Sequence, residues 1–364
     1  MRQAIPNLLP AVLALCLSAA APAGSGASGT AFVMRGGGAI LLAKNLDWPV
    51  GEGLLCVNKR DVIKRAFGGA PSTPLVWTSK YGSVTFNQFG REFPLGGINE
   101  KGLVIEELSA RADYPQPDGR PSLNELQWIQ YHLDSCGTVK EVLKSAARVR
   151  VSRQLLGLHY LIADRKGDVG IVEFRRGKTV SYAGDSLPVS VLSNDPYEAS
   201  LGFLKLHRSF GGDKPVPDGP GSDERFVRAA AALREYRLLS QRPLLDHAFV
   251  ILKSLAQPDT QWSIAYNIPR RMVFFKTREH RRYKILPLEG LEFSCRGDAV
   301  DLPVTTEAAG NLLRQLVPYD PKQNRRLLDS VFRSLREAGE LGDDFKEVVV
   351  QEMAVYPESC RCRE

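Results

Sequence analysis

The residues best suited to chemistry lie where an apolar leader ends, at Ser28-Gly29-Thr30. Removing the leader nearby creates a free α-amino group at the start of the strand that follows. Such an amine can act as the general base for a neighbouring hydroxyl or thiol, as histidine does in a serine–histidine pair. Cleavage after Ala27 makes Ser28 the first residue, whereas Thr30 gains its own amine only after cleavage behind Gly29. Of the two hydroxyls, Thr30 is therefore the less favoured candidate.

Residues 1–27 have the pattern of a signal peptide. Arg2 precedes an apolar run over 8–17, and a stretch of small residues follows it. The run is shorter than a bilayer-spanning helix needs, and the small residues suit cleavage after Ala23 or Ala27. No later stretch is long and apolar enough to cross a membrane. We therefore predict an exported protein, periplasmic or secreted, with no membrane span.

Composition indicates a globular protein that binds neither nucleic acid nor metal. The 364 residues are 43% apolar and 24% charged, and the net charge of +7 is spread over isolated arginine pairs. A nucleic-acid interface would concentrate that charge in one patch. The five histidines have no metal-ligand spacing, and His159 is interpreted as a hydrogen-bonded core residue. An odd number of cysteines remains after the leader, so a disulfide is possible but no disulfide framework is implied. Cys360 and Cys362 lack the spacing and the partners of a zinc site, and are interpreted as a feature of the tail.

Hydrophobic periodicity predicts groups of strands alternating with groups of helices, which is typical of a layered α+β body. Capping boxes at 122–125 and 138–141 each predict the start of a helix. A glycine pair at 96–97 is predicted to be a turn, and 211–221 an irregular surface loop. The predicted strands are 30–34, 39–46, 54–58, 82–86, 102–108, 158–163, 169–174, 179–182, 189–193, 262–267, 272–276 and 283–287. The further predicted helices are 224–236, 244–255, 306–316 and 325–338.

Six short segments in fixed order resemble the choloylglycine hydrolase family, which includes bile-salt hydrolases and penicillin V acylases. Each segment alone is weakly specific, but the ordered set is highly specific, and it is nearest to the exported branch of Gram-negative type. The resemblance runs from about residue 29 to about residue 284. The segments are Ala43-Lys44-Asn45-Leu46-Asp47-Trp48, Trp77-Thr78-Ser79-Lys80-Tyr81-Gly82-Ser83-Val84, Gly97-Ile98-Asn99-Glu100-Lys101-Gly102-Leu103, Leu158-His159-Tyr160, Val191-Leu192-Ser193-Asn194-Asp195-Pro196 and Arg225-Phe226-Val227-Arg228.

The resemblance implies an N-terminal-nucleophile hydrolase with a four-layer αββα sandwich. Members cleave linear amide C–N bonds through an acyl-enzyme, use no cofactor or metal, and are often homotetramers. Expected substrates are small acyl amides such as penicillin V or conjugated bile salts. The implied division of the chain is a signal peptide at 1–27, a hydrolase-like domain at 28–300, and a C-terminal helical extension at 301–364 packed on the same domain.

The resemblance also assigns roles to individual positions. Asp47 would orient the terminal amine, Asn194 would donate to the oxyanion, and Arg225 would support the nucleophile end of the site. Lys44 stands where the family has an arginine, keeping the charge and losing the planar fork. Ser109 falls at a second polar position of the oxyanion site, and Trp48 and Tyr81 would line an acyl pocket. Taken singly, Asp47 suits a turn, Asn194 a loop and Arg225 a helix surface better than a site. Only the ordered set of segments favours the site.

Gly29 occupies the position of the family's nucleophilic cysteine, and glycine has no side chain with which to attack. Three explanations stay open. Ser28 could be a shifted nucleophile, although a one-residue slip on a strand turns a side chain to the opposite face. The protein could be an inactive relative that binds a small acylated ligand. Alternatively, the glycine could replace a natural cysteine in this sequence.

Overall fold

The computed structural model describes residues 28–68, 73–152, 155–239, 243–341 and 347–363. The predicted signal peptide lies outside these residues. The strands are β1 (Ser28–Gly36), β2 (Ala39–Asp47), β3 (Leu54–Asn58), β4 (Val62–Arg65), β5 (Val76–Thr78), β6 (Ser83–Asn87), β7 (Pro94–Asn99), β8 (Val104–Ser109), β9 (Ser122–Leu123), β10 (Arg150–Val151), β11 (Leu158–Ala163), β12 (Val169–Arg175), β13 (Lys178–Ala183), β14 (Val191–Leu192), β15 (Thr260–Asn267), β16 (Met272–Thr277), β17 (Lys284–Pro287), β18 (Val300–Pro303), β19 (Gly310–Asn311), β20 (Val317–Pro318) and β21 (Arg361–Cys362). The α-helices are α1 (Glu125–Ser135), α2 (Val139–Ala146), α3 (Tyr197–Leu204), α4 (Ser222–Leu239), α5 (Leu244–Leu255), α6 (Pro321–Glu337) and α7 (Glu347–Val355).

Two large sheets form the centre of the described fold. One has seven strands in the order β14-β1-β2-β15-β16-β17-β19, and the other has nine in the order β13-β12-β11-β8-β7-β6-β3-β18-β20. Strands β1 and β8 are in contact, so the two sheets face each other. Helices α4 and α5 pack on the seven-stranded sheet, and α1 and α2 pack on the nine-stranded one. This is the predicted α+β sandwich of four layers, αββα.

Local signals in the sequence account for the helix starts on the nine-stranded sheet. The capping box predicted at 122–125 is wrong in its residues, because Ser122 lies in β9. The Asn124 side chain instead accepts a hydrogen bond from the Gln127 main chain and caps α1. At α2, Thr138 and Glu141 form a complete capping box. Each satisfies main-chain N–H groups that the first turn of a helix leaves without partners. The predicted loop over 211–221 is likewise free of helices and strands.

Two predicted elements are wrong. The glycine pair at 96–97 lies inside β7, which pairs with β6 and β8. Glycine is required there because the neighbouring atoms leave no room for a side chain at either position. A Cβ at Gly97 would lie 2.4 Å from the Val84 carbonyl oxygen, and one at Gly96 would overlap the Glu106 carboxylate. The segment 306–316 is not an α-helix: it contains β19 and a short 3₁₀ turn, with Gly310 at a φ of +74° interrupting helical geometry.

The C-terminal region continues the body of the protein. Strand β18 pairs with β3 inside the nine-stranded sheet, so the predicted boundary at residue 300 falls within a strand. Helices α6 and α7 follow, and β21 pairs with β4. A disulfide joins Cys295 to Cys362, and so attaches the tail to the body. Among the described helices, none combines the length and apolarity needed to cross a bilayer.

The glycine inside β7 is testable by substitution. Gly97→Ala places a Cβ against main-chain atoms of β6, which cannot move as a flexible side chain can, so we expect a loss of about 1–3 kcal/mol in unfolding free energy. Chemical denaturation measures it. Gly202→Ala is the matched control, since nothing lies within 4 Å of a Cβ there. Equal stability of the two variants would contradict the packing argument.

Candidate active site

The candidate site lies at the beginning of β1, between two neighbouring strands. In the β1–β2 hairpin, Gly29 pairs with Leu46 and Ser28 pairs with Asp47. On its other side β1 pairs with β14, which is followed by Ser193 and then Asn194. The first residues of β1, the end of β2 and the segment after β14 therefore meet. Residues 28, 47 and 194, far apart in sequence, share one corner of the sheet.

Arg225, near the start of α4, connects these segments. Its side chain is only 3% exposed. The Nη1 group donates to the Gly29 carbonyl oxygen at 2.8 Å, to Thr30 Oγ1 at 3.0 Å and to Asp47 Oδ2 at 3.3 Å. The Nη2 group donates to Asn194 Oδ1 at 2.8 Å. Burial lowers the pKa of Arg225 and the Asp47 charge acts in the opposite direction.

Asn194 is held on both sides of its amide. Its Oδ1 accepts from the Gly29 main-chain N–H at 3.2 Å, and its Nδ2 donates to the Ser109 carbonyl oxygen at 3.0 Å. The hydroxyl of Ser222 accepts from the Asn194 N–H at 2.8 Å. Ser109 thus meets Asn194 through its main chain. The predicted role of the Ser109 side chain stays a prediction.

Asp47 is 1% exposed and is bound by two donors, Arg225 and the Thr260 hydroxyl. Burial raises the pKa of its carboxyl group, while the Thr260 hydrogen bond and the Arg225 charge oppose that rise. Thr260 faces Asp47 because β15 pairs with β2 at this point. No sequence motif marks Thr260, and only strand pairing identifies it as part of the site.

Position 29 is built for glycine. A Cβ there would lie 2.5 Å from the Asn45 carbonyl oxygen, closer than side chains tolerate. The hydroxyls around this glycine belong to its neighbours. Ser193 Oγ lies 3.3 Å from the Gly29 carbonyl oxygen and 3.4 Å from Thr30 Oγ1, and Ser222 Oγ lies 3.2 Å from Ser193 Oγ. A cysteine here would require a shift of the main chain.

Lys44, a predicted site residue, lies in a different cluster. Its Nζ is 2.7 Å from Glu107 Oε1 and 3.2 Å from Glu106 Oε2, and all three side chains are buried. The Tyr266 hydroxyl also donates to Glu106. Burial tends to lower the pKa of Lys44, but the two carboxylates raise it above the ordinary value. Lys44 therefore takes part in an ion cluster between the sheets.

The two predicted pocket aromatics are in different surroundings. Trp48 directly follows Asp47 and is buried, and its main-chain N–H donates to the Asp259 carbonyl at 3.1 Å. Tyr81 precedes β6 in the other sheet, where the ammonium groups of Lys80 and Lys101 lie over its ring. Tyr81 thus lies next to a strand of the nine-stranded sheet, whereas Asp47 belongs to the seven-stranded sheet.

His159 is a hydrogen-bonded core residue, as the sequence predicts. It is 1% exposed, and its Nε2–H donates to the Ser193 carbonyl oxygen at 2.6 Å. Its Nδ1 lies 3.1 Å from Glu173 Oε1, which also accepts from the Tyr197 main chain at 2.8 Å. His159 and Glu173 thus hold Ser193 and Tyr197, the two ends of the segment that carries Asn194.

The fold places the protein among the N-terminal-nucleophile hydrolases. A penicillin V acylase from Agrobacterium tumefaciens superposes with a TM-score of 0.69 at 25% identity, covering 80% of this chain and 98% of that one. A mutant conjugated bile acid hydrolase from Clostridium perfringens, at 16% identity, superposes with a TM-score of 0.63 over 80% of this chain and 96% of its own, and supports the fold.

Sequence comparison then gives the family. The sequence model of the linear amide C–N hydrolases, choloylglycine hydrolase family, matches residues 37–295, and the chain belongs to this family. A penicillin V acylase from Pectobacterium atrosepticum is 31% identical over 246 residues, which are 62% of this chain and 64% of that protein. The match thus spans slightly less than two thirds of this relative. The matched range of the family model begins after Gly29, so it does not include the start of β1.

The cluster between the sheets yields a pH prediction. Burial raises the pKa of Glu106 from 4.5 to about 7. A carboxyl group whose pKa rises on folding stabilises the folded state below about pH 4.5, and this contribution is lost as the pH rises through about 7. Between pH 4.5 and pH 8 we expect the unfolding free energy of wild type to fall by about 3 kcal/mol relative to that of Glu106→Gln. Chemical denaturation at the two pH values measures this difference.

The exposed Glu352→Gln is the control for this measurement, and its pH profile should follow that of wild type. If the profile of Glu106→Gln also ran parallel to that of wild type, Glu106 would not be the group that titrates.

Proposed function

We propose that this protein hydrolyses linear amide C–N bonds of small acylated molecules, attacking with a hydroxyl at the start of β1 and forming an acyl-enzyme. The observation that carries the proposal is the polar frame of buried Asp47, buried Arg225 and half-buried Asn194, which converges on the Gly29 main chain. A buried arginine and carboxylate are costly unless they are paired and hydrogen-bonded, as Arg225 and Asp47 are.

Each member of the frame suits a step of amide hydrolysis. The Asp47 carboxylate can hold a terminal ammonium in place, and misplaced reacting groups cost rate steeply. The Asn194 amide and the Arg225 guanidinium are fixed donors of the kind that stabilise a tetrahedral oxyanion. The relatives are named for penicillin V and conjugated bile acids. Small acyl amides of these kinds are therefore the first substrates to test.

We further propose that the protein acts outside the cytoplasm, in the periplasm or as a secreted protein. The leader over 1–27 supports export, and the Cys295–Cys362 disulfide suits an oxidising compartment. A homotetramer is proposed from the family resemblance alone.

A second candidate function is the binding of a small acylated ligand without turnover. The observation that favours it is Gly29 itself: the position of the family nucleophile has no side chain, and a Cβ there would meet the Asn45 carbonyl. In that case the polar frame would hold the ligand's amide group and leave the C–N bond intact.

The two functions separate in one assay. The purified mature protein is incubated with penicillin V and with a conjugated bile salt, and the released amine is quantified. We expect turnover in wild type and a fall in kcat of about 100-fold or more for Asp47→Asn, because the amine loses its orienting charge. Asp329→Asn, an exposed change on α6, is the matched control. Calorimetric binding without amine release would contradict hydrolysis and support the binding function.

A further inference from the structure

We propose that a cavity beyond the end of β3 is a second binding site, which takes a small zwitterion with an apolar body, that is, an apolar α-amino acid. The cavity has a volume of about 300 Å³. The residues of its wall that carry the argument are Lys59, Leu291, Asp298, Val300, Leu313 and Leu316. The proposal does not depend on the proposed amide hydrolysis.

The cavity and the candidate active site lie at opposite edges of the seven-stranded sheet. Strands β2, β15, β16 and β17 pair antiparallel in turn. Because Asp47 ends β2, the start of β17 lies at the edge that holds the active site, and its end lies at the other edge. Residues 290–292 follow that end and line the cavity. A ligand bound there is therefore remote from Asp47.

Half of the cavity wall comes from a part of the chain that the family match does not include. The matched range ends at residue 295. Five of the ten residues in the wall follow it, namely Gly297, Asp298, Val300, Leu313 and Leu316. Pairing of β18 with β3 brings this region to the cavity. The family match thus assigns no role to much of this wall.

Lys59 supplies a cation that has hydrogen-bonding capacity to spare. The residue is 7% exposed, and its Nζ donates to the Glu292 carbonyl oxygen at 2.6 Å. An ammonium has three N–H donors, and in the described part of the chain this is its one hydrogen bond. Burial lowers the pKa of Lys59, and the charges of Glu292 and Asp298 act in the opposite direction. The remaining donors can bind a ligand carboxylate.

Asp298 supplies a negative charge in the same cavity. Its side chain is exposed, and it takes part in none of the ion pairs formed within the described ranges. The Glu292 carboxylate, in contrast, accepts from the Ser294 main-chain N–H. A carboxylate such as Asp298 repels a purely anionic ligand and attracts an ammonium group. Charges of both signs in one cavity therefore favour a ligand that carries both.

The apolar part of the wall selects the body of the ligand. Leu291, Val300, Leu313 and Leu316 are each partly exposed. An apolar side chain would cover them, and apolar area removed from water contributes about 25 cal/mol per Å². The volume lies at the lower end of the range of about 300–1,000 Å³ that is usual for small-molecule sites. A single amino acid is thus of suitable size.

Gly297 leaves space next to the ammonium. A Cβ at this position would lie 3.4 Å from Lys59 Nζ and 3.0 Å from Glu292 Cγ. The exposed Glu292 side chain can move away from such a Cβ, so the fold tolerates a substitution. A larger side chain at position 297 would then occupy the place where a ligand carboxylate meets Lys59. Gly297→Val therefore closes the cavity and retains the cation.

The first test compares three probes of similar size on the purified mature protein, with dissociation constants from ligand-observed NMR titrations. The probes are leucine, leucinamide, which lacks the carboxylate, and 4-methylpentanoate, which lacks the amine. We expect leucine to bind at least about 10-fold more tightly than either of the others, because each of these leaves one charge of the cavity without its partner. Equal affinity for the three would overturn the proposal.

The second test uses variants of the two charged residues. Lys59→Met keeps the apolar stem and removes the donors, so the affinity for leucine should fall at least about 10-fold. Asp298→Asn should reduce the preference for leucine over 4-methylpentanoate by a similar factor. Lys322→Met and Asp329→Asn, exposed changes on α6, are the matched controls and should bind leucine as wild type does.

Gly297→Val separates this cavity from the active site. We expect it to lose leucine binding, while any release of amine from penicillin V continues at the wild-type rate. Near-UV circular dichroism checks that Gly297→Val and Lys59→Met fold, and the three probes on wild type decide the matter if they do not. Wild-type affinity for leucine in folded Gly297→Val would overturn the proposal. A protein that binds leucine as expected but releases no amine supports the cavity and counts against the proposed function.

Discussion

The buried Arg225 guanidinium is the interaction on which the candidate site depends. A cation that is only 3% exposed is stable only when acceptors surround it. Here these acceptors come from β1, from the end of β2 and from the segment after β14. Because one rigid fork bonds all three, none can move without leaving part of the charge unpaired. The arginine thereby fixes the main chain at residue 29 more firmly than sheet pairing alone would.

The molecule uses its buried cations for two different purposes. Arg225 binds main-chain and side-chain oxygens at a strand end, where chemistry is proposed. Lys44 pairs with Glu106 and Glu107 between the sheets. An ammonium is a compact charge that suits a small buried cluster, whereas a guanidinium can hold several acceptors in one plane. The lysine at position 44 is thus consistent with a structural role there.

Much of the fold was predictable, since periodicity and capping are local signals. The capping box before α2 located that helix, and alternating apolar residues located most strands. The box predicted at 122–125 located the start of α1 with the wrong residues, because Asn124 caps that helix. The glycine pair in β7 misled the prediction, because glycine signals a turn locally, although here it permits close strand packing. Thr260 and Ser222 belong to no motif, and Ser193, although it lies in one of the six ordered segments, has no role that the sequence predicts. The reason is that a serine or threonine hydroxyl joins a site through its neighbours in space.

The sequence by itself determined the family, the layered fold class and the identity of Asp47, Asn194 and Arg225 as candidate site residues, because ordered segments and periodic patterns are properties of the chain. Only the tertiary structure decided how Gly29 should be understood. Its contact with the Asn45 carbonyl and the donors on its own carbonyl come from segments distant in sequence. In the fold, the carbonyl oxygen of Gly29 accepts hydrogen bonds from Arg225 and Ser193, which the sequence alone does not reveal.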